Sequence, residues 1–137
     1  MTEDIPEPVR AAWKGLPEPL TVRLVQLRRL ILDVASENPA IGPLEETLKW
    51  GEAAFLTSAT GSGTTVRINR HKKSEAIYGL YVHCQTDLIA RYRQLYDQEL
   101  TFDGNRAVLF DCRNALPVDA ARHCIAMALT YHLRRQS

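Results

Sequence analysis

The sequence predicts an α+β domain of two layers: an antiparallel five-stranded sheet with helices on one face, in the order α-(short α)-β-β-β-α-β-β-α. Three observations carry this. Leu20, Leu24, Leu27, Ile31 and Val34 fall at helical spacing over 18–37. Three short runs rich in β-branched and aromatic residues then follow between 54 and 83, split by turn formers. Asp103-Gly104-Asn105 lies between two further β runs, a strong hairpin signal. Meandering strands with helices left for one side make an α+β sandwich.

The 137 residues suit one domain, 1–137, with an irregular or short helical lead-in over 1–15 and a core over 16–134. Pro6 and Pro8 break the lead-in, and Trp13 is its expected anchor. In the helix over 18–37, Pro17 and Pro19 suit the first turn, where a missing N–H is harmless. Arg23, Arg28 and Arg29 lie off the apolar stripe and are expected in solvent. Asn38-Pro39 ends the helix, since the residue before Pro avoids the α region. Pro43 followed by Leu44 to Trp50 predicts one or two helical turns closed by Gly51.

The strands are expected at 54–58, 64–70 and 77–83, with Ala59 to Gly63 as a hairpin turn. Val66 and Ile68 take one face, as do Tyr78, Leu80 and Val82. Gly61-Ser62-Gly63 is too short for a phosphate loop. A helix over 87–97 starts near Thr86 and Asp87. Strands at 99–102 and 106–110 make the second hairpin. Pro117 opens the last helix, reaching about Arg134, with Val118, Ala121, Ile125, Ala128 and Leu129 inward. Arg134 and Arg135 suit its negative end.

Composition excludes more than it names. Apolar residues are 45% and charged residues 24%, ordinary globular usage, so the chain needs no staple to fold. The net charge of +1 hides −2 over residues 1–68 and +3 over 69–137. Neither value predicts binding to nucleic acid or to an anionic membrane. The start, Met1 to Pro8, is acidic and broken by prolines, unlike a secretory signal. Apolar runs fall short of the ~20 residues of a spanning helix, so the chain is expected to be soluble and cytoplasmic. Cys84, Cys112 and Cys124 form no Cys-x-x-Cys and are expected as free thiols. His83-Cys84 and His123-Cys124 are adjacent pairs that each offer one ligand at most, so no metal site is predicted. No cofactor fingerprint occurs.

The segment Leu44-Glu45-Glu46-Thr47-Leu48-Lys49-Trp50-Gly51 resembles the Glu-Glu-x-x-Lys-Trp-Gly segment of the YdhG-like family of uncharacterised domains. The preceding Leu-rich helix and the turn at His71-Lys72-Lys73 fit as well, over about residues 15–134. The resemblance implies a compact α-β3-α-β2-α fold similar to secretion-chaperone-like domains, with no activity established for the family. A frataxin-like branch has been proposed to deliver iron from an acidic helix ridge. Here the first long helix sets Arg23, Arg28 and Arg29 against Asp33 and Glu37, and Glu52-Ala53-Ala54 follows where the family usually has a Pro.

The candidate ligand-binding residues are Lys49, Trp50, Gly51, His71 and Lys72. A Trp at a helix-to-strand corner commonly plugs the edge of the core, with Gly51 permitting the turn. Its other use is a ligand shelf, the indole beside the Lys49 ammonium. His71 and Lys72, with Lys73, end the second strand as a small cationic patch or a solvated hairpin end. Asp103 and Asp111 flank the second hairpin as turn and strand-end residues or as an acid–base pair. The five tyrosines fill the core or line a groove. The reading that results is a non-enzymatic binding or accessory domain for a small anionic ligand, with a cleft near Trp50. Iron handling of the frataxin type is the first alternative. A protein–protein module that uses the exposed sheet face or edge, as in a homodimer, is the second. An enzyme is least supported, because no nucleophile–base pair stands out.

Overall fold

A computed structural model describes residues 4–133. The order is α1 (Glu7–Trp13), α2 (Glu18–Ser36), β1 (Glu45–Lys49), β2 (Glu52–Leu56), β3 (Val66–Arg70), β4 (Ile77–Tyr81), α3 (Leu88–Tyr96), β5 (Thr101–Asp103), β6 (Ala107–Asp111) and α4 (Val118–Leu129). The fold class is as expected: the strands make one open antiparallel sheet, β1-β2-β3-β4-β6-β5. It has six strands rather than five. The expected features of Met1 to Glu3 and of Arg134-Arg135 lie outside the described residues.

The extra strand is the segment expected as a short helix. Leu44 and Leu48 are four apart, a spacing that fits a helical stripe and equally one face of a strand. Cross-strand bonding decides: β1 pairs with β2 from Glu45↔Leu56 to Lys49↔Glu52. Trp50 and Gly51 form the two-residue loop, with φ of 57° and 77°. Two successive positive φ values are the pattern of a type I′ hairpin turn.

Parity divides the sheet. Phe55, Val66, Ile68, Tyr78, Leu80, Val82, Val108 and Phe110 join the Leu20–Val34 stripe of α2, Leu88, Ile89 and Tyr92 of α3, and Ala121, Ile125 and Leu129 of α4 in one core. Val9 and Trp13 of α1 complete it over β1 and β2. The alternate residues, including Thr47, Lys49, Glu52, Ala54, Arg67, Asn69, Gly79, Tyr81, Ala107 and Leu109, form a second face that no helix among the described residues covers.

Arg28 is not in solvent as expected. It is 3% exposed and grips Glu46 of β1 from α2, Nε to Oε2 at 2.6 Å and Nη2 to Oε1 at 2.9 Å. Glu46 points inward because β1 is a strand, and the buried pair ties α2 to the sheet.

Gly61-Ser62-Gly63 is likewise more than a turn. Ser62 Oγ donates to the Leu129 carbonyl at 2.7 Å, and the Thr64 N–H donates to Ala128 O at 3.0 Å. The loop thus satisfies carbonyls that the end of α4 leaves open. A Cβ on Gly63 would sit 2.3 Å from the Leu129 carbonyl carbon, so only glycine allows this approach.

Candidate functional site

The helix-free face carries a chain of polar contacts that begins at β2. Glu52 accepts from Arg67 Nη1 at 2.6 Å. The Arg67 guanidinium carbon lies 5.7 Å from the centre of the Tyr81 ring, within cation–π range. The Tyr81 hydroxyl meets His71 Nδ1 at 2.8 Å, and His71 Nε2 lies 3.3 Å from Asp103 Oδ2. Four strands and the turn after β3 are thereby linked across the sheet.

Gly79 makes the arrangement fit. A Cβ there would come within 2.9 Å of the Tyr81 ring, so the ring lies flat over the glycine. This leaves Tyr81 only 8% exposed on a face that no helix covers. Burial, aided by the charges of Glu52 and Asp103 and opposed by Arg67, pushes its hydroxyl up to about 12. Tyr81 therefore acts as a neutral hydrogen-bonding group across the physiological range.

Trp50 stands at the edge of this face. It is 89% exposed, so it does not plug the edge of the core as expected of a Trp at this corner. The turn is a hairpin tip rather than a helix-to-strand corner, and its geometry points the indole outward. Two adjoining grooves share Trp50, Arg67 and His83. One, of about 200 Å³, adds Lys49 and Thr65; the other, of about 240 Å³, adds Val82, Cys84 and Arg106. Indole, guanidinium, imidazole and ammonium groups converge there, and Glu52 offsets part of the Arg67 charge.

Of the candidate residues, the structure brings Lys49 and Trp50 together in the groove, and Gly51 shapes the tip that holds them. His71 does not line either groove; it is connected to them through Tyr81 and Arg67. Lys72 is exposed in the turn after β3 with φ of 54°, away from both. Sequence reasoning missed Arg67, His83 and Arg106. Arg67 had a signal, since its alternation with Val66 and Ile68 puts it on the outer face, whereas His83 and Arg106 arrive only through the register of β4 and β6.

Asp103 and Asp111 are apart in role. Asp111 forms a fork with Arg113, at 2.9 and 2.6 Å, whose side-chain and backbone donors hold its carboxyl down to about 2. Cys84 is exposed, while Cys112 and Cys124 are buried; burial pushes the Cys124 thiol up to about 12. Among the described residues no three His, Cys, Asp or Glu side chains gather as a metal-holding group, and no helix is long and apolar enough to cross a membrane.

A larger cavity of about 500 Å³ lies between α1 and α2, walled by Ile5, Trp13, Thr21 and Val25 with Glu7, Arg10 and Lys14 at its rim. Arg10 is spent on the Ile5 carbonyl, and the rim charges are of mixed sign. The Trp50 grooves are smaller but hold convergent cations beside a strained aromatic, which is the stronger indication of a site. Comparison of the chain with protein-family models, with curated proteins and with solved structures found no match. Fold and site alone define it, as a small α+β domain with one sheet face left open.

Proposed function

We propose that this chain is a non-enzymatic binding module that takes a small anionic ligand with a planar group into the groove beside Trp50. The observation that carries the reading is Trp50 itself. A bulky residue at positive φ is a conformational outlier, and at a hairpin tip Asn or Gly would serve without strain. An indole that is both strained and almost wholly exposed serves neither folding nor packing. It stands beside Lys49, Arg67 and Arg106, which offer charge, and His83, which offers a ring nitrogen, while the indole offers a stacking face. The segment that resembles the YdhG-like family, Leu48 to Gly51, is this same tip. Iron handling has no such support, because it needs a carboxylate ridge and the cluster found here is cationic.

A panel of aromatic carboxylates and nucleoside monophosphates tests the reading, read by thermal shift and by Trp fluorescence. Trp13 is the chain's other tryptophan and is buried, so quenching that survives Trp13→Phe reports on Trp50. At least one class is expected to bind, with affinity lost in Trp50→Ala and in Arg67→Ala. A panel without a binder, or a folded Trp50→Ala protein that binds as before, refutes it.

A further inference from the structure

The sheet ends in two edges of different character. β5 is three residues long and its Asp103 is held by His71. β1 is five residues long, without proline or bulge, and none of the described residues hydrogen-bonds to its outer side. An edge of that length is a pairing template unless something blunts it.

We infer that β1 pairs antiparallel with β1 of a second copy of this chain about a twofold axis at Thr47. The register of the hairpin shows why this geometry is available. Lys49↔Glu52 closes a two-residue loop, and the closing pair of such a loop is hydrogen-bonded. Bonded and non-bonded pairs alternate along an antiparallel ladder. Glu45, Thr47 and Lys49 therefore direct their backbone groups to β2, while Glu46 and Leu48 direct theirs to the open edge. With the axis at Thr47, Glu46 meets Leu48 of the second copy as a bonded pair, and the ladder continues without a slip.

The side chains match in the same register. Thr47 meets its own copy, and Glu45 meets Lys49 twice over, all on the helix-free face. These are the non-bonded positions, where side chains of facing strands approach most closely. Lys49 makes no ion pair among the described residues. Glu45 accepts from Ser58 Oγ at 2.5 Å and keeps a second carboxylate oxygen for a cation. No other register sets both charges that β1 carries on this face, Glu45 and Lys49, against their opposites. The helices fit too. α1 packs over β1 and β2 alike, so with strands about 4.8 Å apart the two α1 helices come about 10 Å from one another, an ordinary packing distance.

Such an interface is small, of the weak class below about 1,200 Å², so association is read on the full chain over a wide concentration range. Sedimentation should show a weight-average mass that climbs from 15.5 kDa toward twice that value. Glu45→Lys and Lys49→Glu should each weaken association about tenfold or more, and the double exchange should restore it. Thr47→Lys, which sets two ammonium groups at the axis, should abolish it. The amides of Glu46 and Leu48 should gain hydrogen-exchange protection as concentration rises. A constant 15.5 kDa mass, association untouched by Thr47→Lys, or a double exchange that fails to restore it overturns the inference. The inference does not rest on the ligand groove. Lys49 belongs to both, but Trp50→Ala should leave the mass unchanged.

Discussion

Replacing Trp50 by Asn separates strain from packing with a sign rather than a size. A non-glycine side chain in the left-handed region costs about 1–2 kcal/mol, and Asn is among the residues that tolerate it best. Against this stands the contact area lost. Trp50 is 89% exposed, so little more than a tenth of its surface packs. A Trp offers about 250 Å², so roughly 30 Å² is lost, worth about 0.7 kcal/mol at 25 cal/mol/Å². The net expectation is a neutral to stabilising change of up to about 1 kcal/mol, or a rise in Tm of up to about 3–5 °C for a domain of this size. Urea unfolding followed by far-UV circular dichroism gives the free energy without relying on the indole. Were Trp50 a core residue, truncation would cost about 3–5 kcal/mol. A loss above about 2 kcal/mol would refute the reasoning and return the indole to a structural role.

Three further outcomes follow from the geometry. Glu46→Ala should cost about 3–5 kcal/mol in urea unfolding, because it strips a carboxylate from the buried Arg28 guanidinium; a loss under 1 kcal/mol would show that the pair does not join α2 to β1. Gly63→Ala should cost about 3 kcal/mol or more, since its Cβ meets Leu129 backbone that cannot yield without opening the bonds at the end of α4; a variant as stable as the parent contradicts that contact. Raising pH should weaken the fold above about pH 9: Cys124 and Tyr81 are ordinarily 9.0 and 10.0 but about 12 when folded, so between those values the native state holds more protons than the unfolded chain. Tyr81 alone contributes about 1 kcal/mol of that loss by about pH 11, and Tyr81→Phe should flatten the profile by as much; a stability unchanged from pH 8 to 11 disproves it.

The parts of the fold that were legible in the sequence are those set by local periodicity. The α2 stripe from Leu20 to Val34 is buried as its spacing requires, and Asp103-Gly104-Asn105 closes the β5–β6 hairpin. What escaped depends on partners far along the chain. Leu44 and Leu48 suit helix and strand alike until β2 offers a ladder. Arg28 reads as a solvated charge until β1 turns Glu46 inward. Ser62 reads as a turn residue until the end of α4 arrives at its hydroxyl. The site divides in the same way: Lys49, Trp50 and Gly51 could be singled out, while their neighbours His83 and Arg106 are gathered by strand register alone. His71 and Lys72 are adjacent in sequence, yet the turn puts one in the Tyr81–Asp103 chain and the other in solvent.

The two faces of the sheet spend their residues differently, and this bears on which one works. The inner face is explained by burial, since its apolar side chains join the helices in one core. Among the described residues the outer face has no layer to pack against, and scattered solvated side chains would suffice to keep it wet. Instead Ala54, Gly79 and Ala107 keep its centre low, Tyr81 lies flat across it, and each end of the tyrosine is engaged, by Arg67 over the ring and by His71 at the hydroxyl. Holding Arg67 between Glu52 and that ring removes rotamer freedom before any ligand arrives, which is the usual means by which a site lowers the entropic cost of binding. The same logic accounts for Trp50, which is held at the rim of the grooves that Arg67 lines by a two-residue turn instead of being left on a long loop. An exposed, strained aromatic on a two-residue tip, next to an Arg67 already held by Glu52 and the Tyr81 ring, supports the proposed binding surface, since a merely solvated sheet face requires neither.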